Sequence, residues 1–120
     1  MGLDIYFVKK KHRHIGYFRK VNFLCAFFEK HGFDVEAQTP LVITKAMAEE
    51  LLDKCNQVLE EPDAAEALLP TMGGFFFGST AYNEYYFKNV EDVRDWVQDT
   101  LLPQFDSLAD DEDIYFETWF

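Results

Sequence analysis

At 120 residues, with 48% hydrophobic residues including 13 Phe, 6 Tyr and 2 Trp, the chain has the length of one domain and lies outside the low-hydrophobicity, high-charge regime of disordered sequences. Its formal net charge of −11 at pH 7 argues against direct binding to nucleic acid, whose phosphates would repel it at long range. The longest apolar run, Phe23-Leu24-Cys25-Ala26-Phe27-Phe28, is far short of the roughly 20 residues of a membrane-spanning helix, so no membrane partner is expected.

The charge is unevenly placed. Residues 1–31 carry Lys9, Lys10, Lys11, Arg13, Arg19, Lys20 and Lys30 against Asp4 and Glu29, whereas the other 89 residues carry four cations against 20 acids. Asp4 within the first apolar stretch and a Lys cluster after it reverse the order of a secretory signal, which predicts a cytoplasmic protein. Cys25 and Cys55 fall on apolar faces of predicted helices and read as buried free thiols.

Residues 3–8, Leu-Asp-Ile-Tyr-Phe-Val, are rich in β-formers and predict a strand, followed by the polar run of residues 9–14. From Tyr17, the apolar positions Tyr17, Val21, Leu24, Cys25 and Phe28 recur at helical spacing up to a stop at Gly32. That helix would bring Arg19 and Asn22 together on its polar face, beside Lys20. Leu41-Val42-Ile43 predicts a short strand, with Thr44 as the N-cap of a second helix over residues 45–61. Its stripe is Met47, Ala48, Leu51, Leu52, Cys55, Val58 and Leu59.

Residues 62–69 predict a further short helix closed by Pro70, and the pairs Gly73-Gly74 and Gly78-Ser79 bracket Phe75-Phe76-Phe77, read as a short buried strand. Asn89 is the expected N-cap of a third helix through Leu102, which Pro103 ends or kinks. Its polar face carries Glu91, Asp95 and Asp99. The acidic run Asp110-Asp111-Glu112-Asp113 precedes a last strand over residues 114–120. The expected architecture is a single α+β domain over residues 1–120, with about three main helices on one face of a small mixed sheet.

No pattern with specific chemistry emerges. His12 and His14 would share one side of an extended strand, but two imidazoles without a third ligand do not define a metal site. The Gly-rich segment around Ser79 lacks the Lys of a phosphate loop, and Ser79 has no nucleophile-elbow context. The carboxylates form rows rather than a pair with divided roles, so no catalytic residue, metal or cofactor is expected. The terminal segment has the acid-then-Phe character of partner-recruiting tails, but its apolar residues favour a strand.

The segments Met1-Gly2-Leu3-Asp4-Ile5-Tyr6, Gly16-Tyr17-Phe18-Arg19-Lys20-Val21-Asn22, Pro70-Thr71, Gly74-Phe75-Phe76-Phe77-Gly78-Ser79 and Tyr82-Asn83-Glu84-Tyr85-Tyr86 resemble a family of short phage and prophage proteins. That resemblance implies a phage-related origin and cytoplasmic action, and no activity. The leading expectation is an accessory protein that binds a basic protein partner through an acidic, nucleic-acid-mimicking surface of Glu91, Asp95, Asp99, Asp110, Asp111, Glu112 and Asp113. The alternative is a domain binding a small anionic ligand, or acting on one, with Arg19, Lys20 and Asn22 meeting Ser79, Tyr82 and Tyr85. A homo-oligomer joining the basic first helix to an acidic face is a third arrangement.

Overall fold

A computed structural model, described over residues 2–9, 13–74 and 76–120, shows one α+β domain whose sheet begins with strands β1 (Asp4–Lys9) and β2 (Arg13–Arg19). Next come helix α1 (Phe23–Glu29), strand β3 (Leu41–Ile43) and helix α2 (Lys45–Glu60). A 3-10 turn (Pro62–Ala64) leads into α3 (Ala65–Leu68), and α4 (Glu84–Trp96) runs through a π-turn (Val97–Leu101) into α5 (Leu102–Asp106). Strand β4 (Ile114–Trp119) closes the chain's secondary structure.

The sheet has the order β2-β1-β4-β3 and every neighbouring pair is antiparallel, in place of the expected mixed sheet. Two elements are therefore drawn from opposite ends of the chain, with Asp4 facing Trp119 and Lys9 facing Ile114. Alternation along the strands sends Ile5, Phe7, Ile114, Phe116 and Ile43 under the helices. Phe116 is the hub, with Phe28 at 4.4 Å, Phe33 at 4.8 Å and Phe7 at 5.5 Å between ring centroids. Truncating one of these rings to Ala typically costs about 3–5 kcal/mol. Tyr6, Tyr17, Tyr115, Glu117 and Trp119 occupy the opposite face, where Tyr17 and Trp119 are exposed.

Helix α2 forms where its stripe and cap predict, with the Thr44 hydroxyl accepting from the Met47 N–H at 3.2 Å. The first helix does not. Residues 13–19 pair with β1 as a strand, and α1 starts only at Phe23. The third helix starts earlier than expected, at Glu84, because Asn83 rather than Asn89 caps it by accepting from the Tyr86 N–H at 3.1 Å. Phe76 and Phe77 lie in a turn, closed by Phe77 N–H to Gly74 O at 3.1 Å, and not in a strand. Phe75 is outside the described residues. Pro103 does not end its helix. It cannot donate to the carbonyl of Asp99, and the preceding turn widens so that the Leu102 N–H reaches Val97 O.

Candidate anion-binding pocket

The site begins at the corner where β2 passes into α1. Lys20 adopts φ +58°, in the left-handed region that costs an L-residue with a side chain about 1–2 kcal/mol. Its N–H donates to Leu3 O at 2.7 Å, which ties the corner to the strand's start. Two residues on, Asn22 is only 3% exposed, and both its amide hydrogens and its carbonyl oxygen are engaged. Its Nδ2 donates to Phe77 O at 2.9 Å and Ser79 O at 3.0 Å, and its Oδ1 accepts from the Met72 N–H at 3.1 Å. Asn22 thus fastens the 72–79 segment against the corner and also borders the cavity with Arg19, from the N-cap of α1 and not from the polar face of a longer helix.

That fastening brings Gly78 against the Lys20 stem, and the Lys20 N–H bond to Leu3 O brings Gly2 near its end. A Cβ on Gly78, whose φ is +84°, would sit 3.2 Å from Lys20 Cβ and 3.3 Å from Cδ. A Cβ on Gly2 would sit 2.7 Å from Lys20 Cε and 3.1 Å from Arg19 Nη2. At Gly78 the positive φ also favours glycine. The exposed Lys20 side chain passes Gly78 at its stem and Gly2 near its end, where Arg19 also lies. Among the described residues the Lys20 ammonium has no ion-pair partner.

The facing wall comes from the 71–83 segment and α4. Thr71 is held to the return strand of chain by its N–H to Tyr82 Oη at 3.0 Å and its hydroxyl to Thr80 O at 2.9 Å. The Ser79 hydroxyl accepts from the Ala81 N–H at 3.1 Å and tightens the turn. Tyr86 anchors α4 from below, its ring 5.6 Å from Phe23 and its hydroxyl donating to Leu69 O at 2.8 Å. Burial holds the Tyr86 phenol well above its usual range, so it stays a neutral donor.

Between these walls lies a cavity of about 230 Å³ bordered by Arg19, Lys20, Thr71, Ser79, Tyr85 and Asn89. In a chain with 22 acidic residues, none lines it. Its border carries two cations, the Thr71 and Ser79 hydroxyls, the Asn83 and Asn89 amides, and the Tyr85 ring, which is 71% exposed at the edge. Arg19, Lys20, Ser79 and Tyr85 come together as the alternative reading requires, whereas Tyr82 stands behind Thr71 as a brace. Asn83 lies within the expected Gly78–Tyr85 segment, whereas Thr71 and Asn89 lie outside the expected site. Asn89 follows Tyr85 by four positions and so shares its helix face.

The other candidate residues lie elsewhere. Glu91 and Asp95 are exposed on α4 but engage Lys88 at 3.8 Å and Arg94 at 2.9 Å. Glu112 meets Lys9 at 3.9 Å and accepts from the Ala109 N–H at 3.0 Å. Asp99 sits in the π-turn, and Asp110, Asp111 and Asp113 in the loop before β4. His14 stacks 4.7 Å from Tyr6, while His12, Lys10 and Lys11 fall outside the described residues. Cys25 and Cys55 are buried free thiols, both pushed up to about 12 chiefly by desolvation. No described helix is long and apolar enough to cross a membrane. No family model, curated protein or solved structure matches the chain.

Proposed function

We propose that this chain binds a small anion in the cavity between the β2–α1 corner and α4, with Lys20 and Arg19 as its charge partners. The observation that carries the reading is the exclusion of every carboxylate from a cavity bordered by adjacent cations, in a chain with twice as many acids as bases. The Lys20 backbone supports it. A left-handed position favours glycine, and a lysine kept there despite the strain points to use of its ammonium.

The test is titration of inorganic phosphate, followed by amide chemical shifts, into the parent protein and Lys20→Gly. Glycine suits φ +58°, so the variant is expected to fold with unchanged or slightly raised stability. It should lose at least about tenfold in phosphate affinity. Shifts absent from residues 19–22 and 78–89 in the parent, or equal affinity in the variant, would overturn the proposal.

A second reading, a phage-type accessory protein with a basic protein partner, is favoured by Asp99, Asp110 and Asp113. These three are exposed without a basic partner among the described residues. Capture of one partner from host lysate at about 50 mM salt, with release by about 500 mM, is the expected behaviour. A complex indifferent to salt would refute the electrostatic form of it.

A further inference from the structure

We infer that the anion taken by this pocket is a phosphate joined to a planar base, so that the ligand class is a nucleoside monophosphate; the inference rests on the anion reading above. An inorganic phosphate would satisfy Lys20 and Arg19 and leave the rest of the site without purpose. The rest is specific. Tyr85 is the most exposed of the large apolar side chains among the described residues, and it stands on the border of this cavity. A phenol ring kept in water beside two cations is a stacking surface at the place where a phosphate-bearing ligand would project its apolar end.

Asn89 and Asn83 supply the third requirement. Asn89 borders the same cavity one helical turn after Tyr85, and its side-chain amide has no hydrogen-bond partner among the described residues. An amide offers one acceptor and two donors from a single plane, the combination that matches a base edge and that a hydrocarbon ring does not need. Asn83 spends its Oδ1 on the Tyr86 N–H, which leaves its Nδ2 as a donor towards the cavity. The groups are therefore the cation pair, the Ser79 hydroxyl and Asn83 amide as donors, and the ring and amide of Tyr85 and Asn89.

The volume sets the length of the ligand. About 230 Å³ lies below the usual range for sites that enclose a drug-sized molecule, roughly 300–1,000 Å³. A ligand of this class would keep its phosphate end inside and its base partly in solvent against Tyr85. The net charge of −11 favours a single phosphate, since each further phosphate adds repulsion while, among the described residues, two cations border the site.

Calorimetric titration of the full chain with inorganic phosphate, ribose 5-phosphate, phenyl phosphate and the four nucleoside monophosphates separates the parts. At least one nucleotide should bind about tenfold more tightly than ribose 5-phosphate. Tyr85→Ala, at an exposed position that the fold does not need, should erase that advantage and leave ribose 5-phosphate affinity within about twofold of the parent. Asn89→Ala should weaken the preferred nucleotide and leave phenyl phosphate unchanged. If no nucleotide exceeds ribose 5-phosphate, or if phenyl phosphate equals the best nucleotide, the nucleotide inference fails and anion binding stands. If inorganic phosphate and ribose 5-phosphate also fail to bind, both readings fall.

Discussion

Asn22 carries more of the site's geometry than any other residue bordering the cavity. Its three hydrogen bonds to Phe77, Ser79 and Met72 hold a glycine-rich segment that has no regular structure of its own. Asn22→Ala strands two carbonyls and an N–H in a buried setting and should cost about 3 kcal/mol, read from the urea midpoint. Asn22→Asp should be at least as damaging, because a carboxylate would face the carbonyls that the amide now donates to. The nearness of Asn22 to Arg19 is legible along the chain, whereas its bonds to residues fifty or more positions away are not. The two thiols make a second residue-scale case. Because their folded pKa lies near 12, above the unfolded value of about 8.5, the folded chain keeps protons that the unfolded chain releases. Stability is complete below about pH 8.5 and falls as pH rises towards 12, by about 1.4 kcal/mol per pH unit for each thiol. Urea midpoints between pH 7 and 10 should trace that fall, and Cys55→Ala should reduce its slope. A flat profile would contradict it.

At the scale of elements, the departures have a common origin in non-local pairing. Tyr17, Val21, Leu24, Cys25 and Phe28 are spaced as on a helix, yet the first of them is in β2 and the rest lie at or beyond the corner. Pairing with β1 decides the matter: Tyr17 faces Tyr6 across the ladder and donates its hydroxyl to Asp4 at 2.7 Å. That bond, the leading cause of the phenol's raised pKa, is invisible to periodicity. Helix α2 was legible because its cap and stripe are both local, Thr44 on Met47 and Ala48 to Val58 on one face. The union of β2 with α4 depends on a glycine. A Cβ at Gly16 would run into the Trp96 indole, whose Nε1 donates to Ile15 O at 3.1 Å and whose ring lies 4.5 Å from Phe7. Gly16→Ala should therefore cost about 1–3 kcal/mol and change the Trp96 near-ultraviolet dichroism. A variant with unchanged midpoint and spectrum would show that the contact is slack.

For the whole molecule, charge acts at two ranges that salt can separate. The molecule measures about 40 × 31 × 21 Å, and the screening length is roughly 30 Å at 0.01 M salt but about 10 Å at 0.1 M. In the first condition an approaching anion senses the full −11, and in the second mainly Lys20, Arg19 and their surroundings. Phosphate affinity should accordingly rise between about 10 and 100 mM salt before it declines, the reverse of a simple cationic site, and a steady decline from the lowest salt would refute this balance. The antiparallel union of β1 with β4 has a mechanical consequence. Asp4 and Trp119 are partners at the same end of the ladder, so tension applied through them loads one rung at a time instead of shearing all rungs together. Handles fixed at residues 4 and 119 should open the sheet at low force, and handles at residues 9 and 119, which load the same two strands lengthwise, should require several times more.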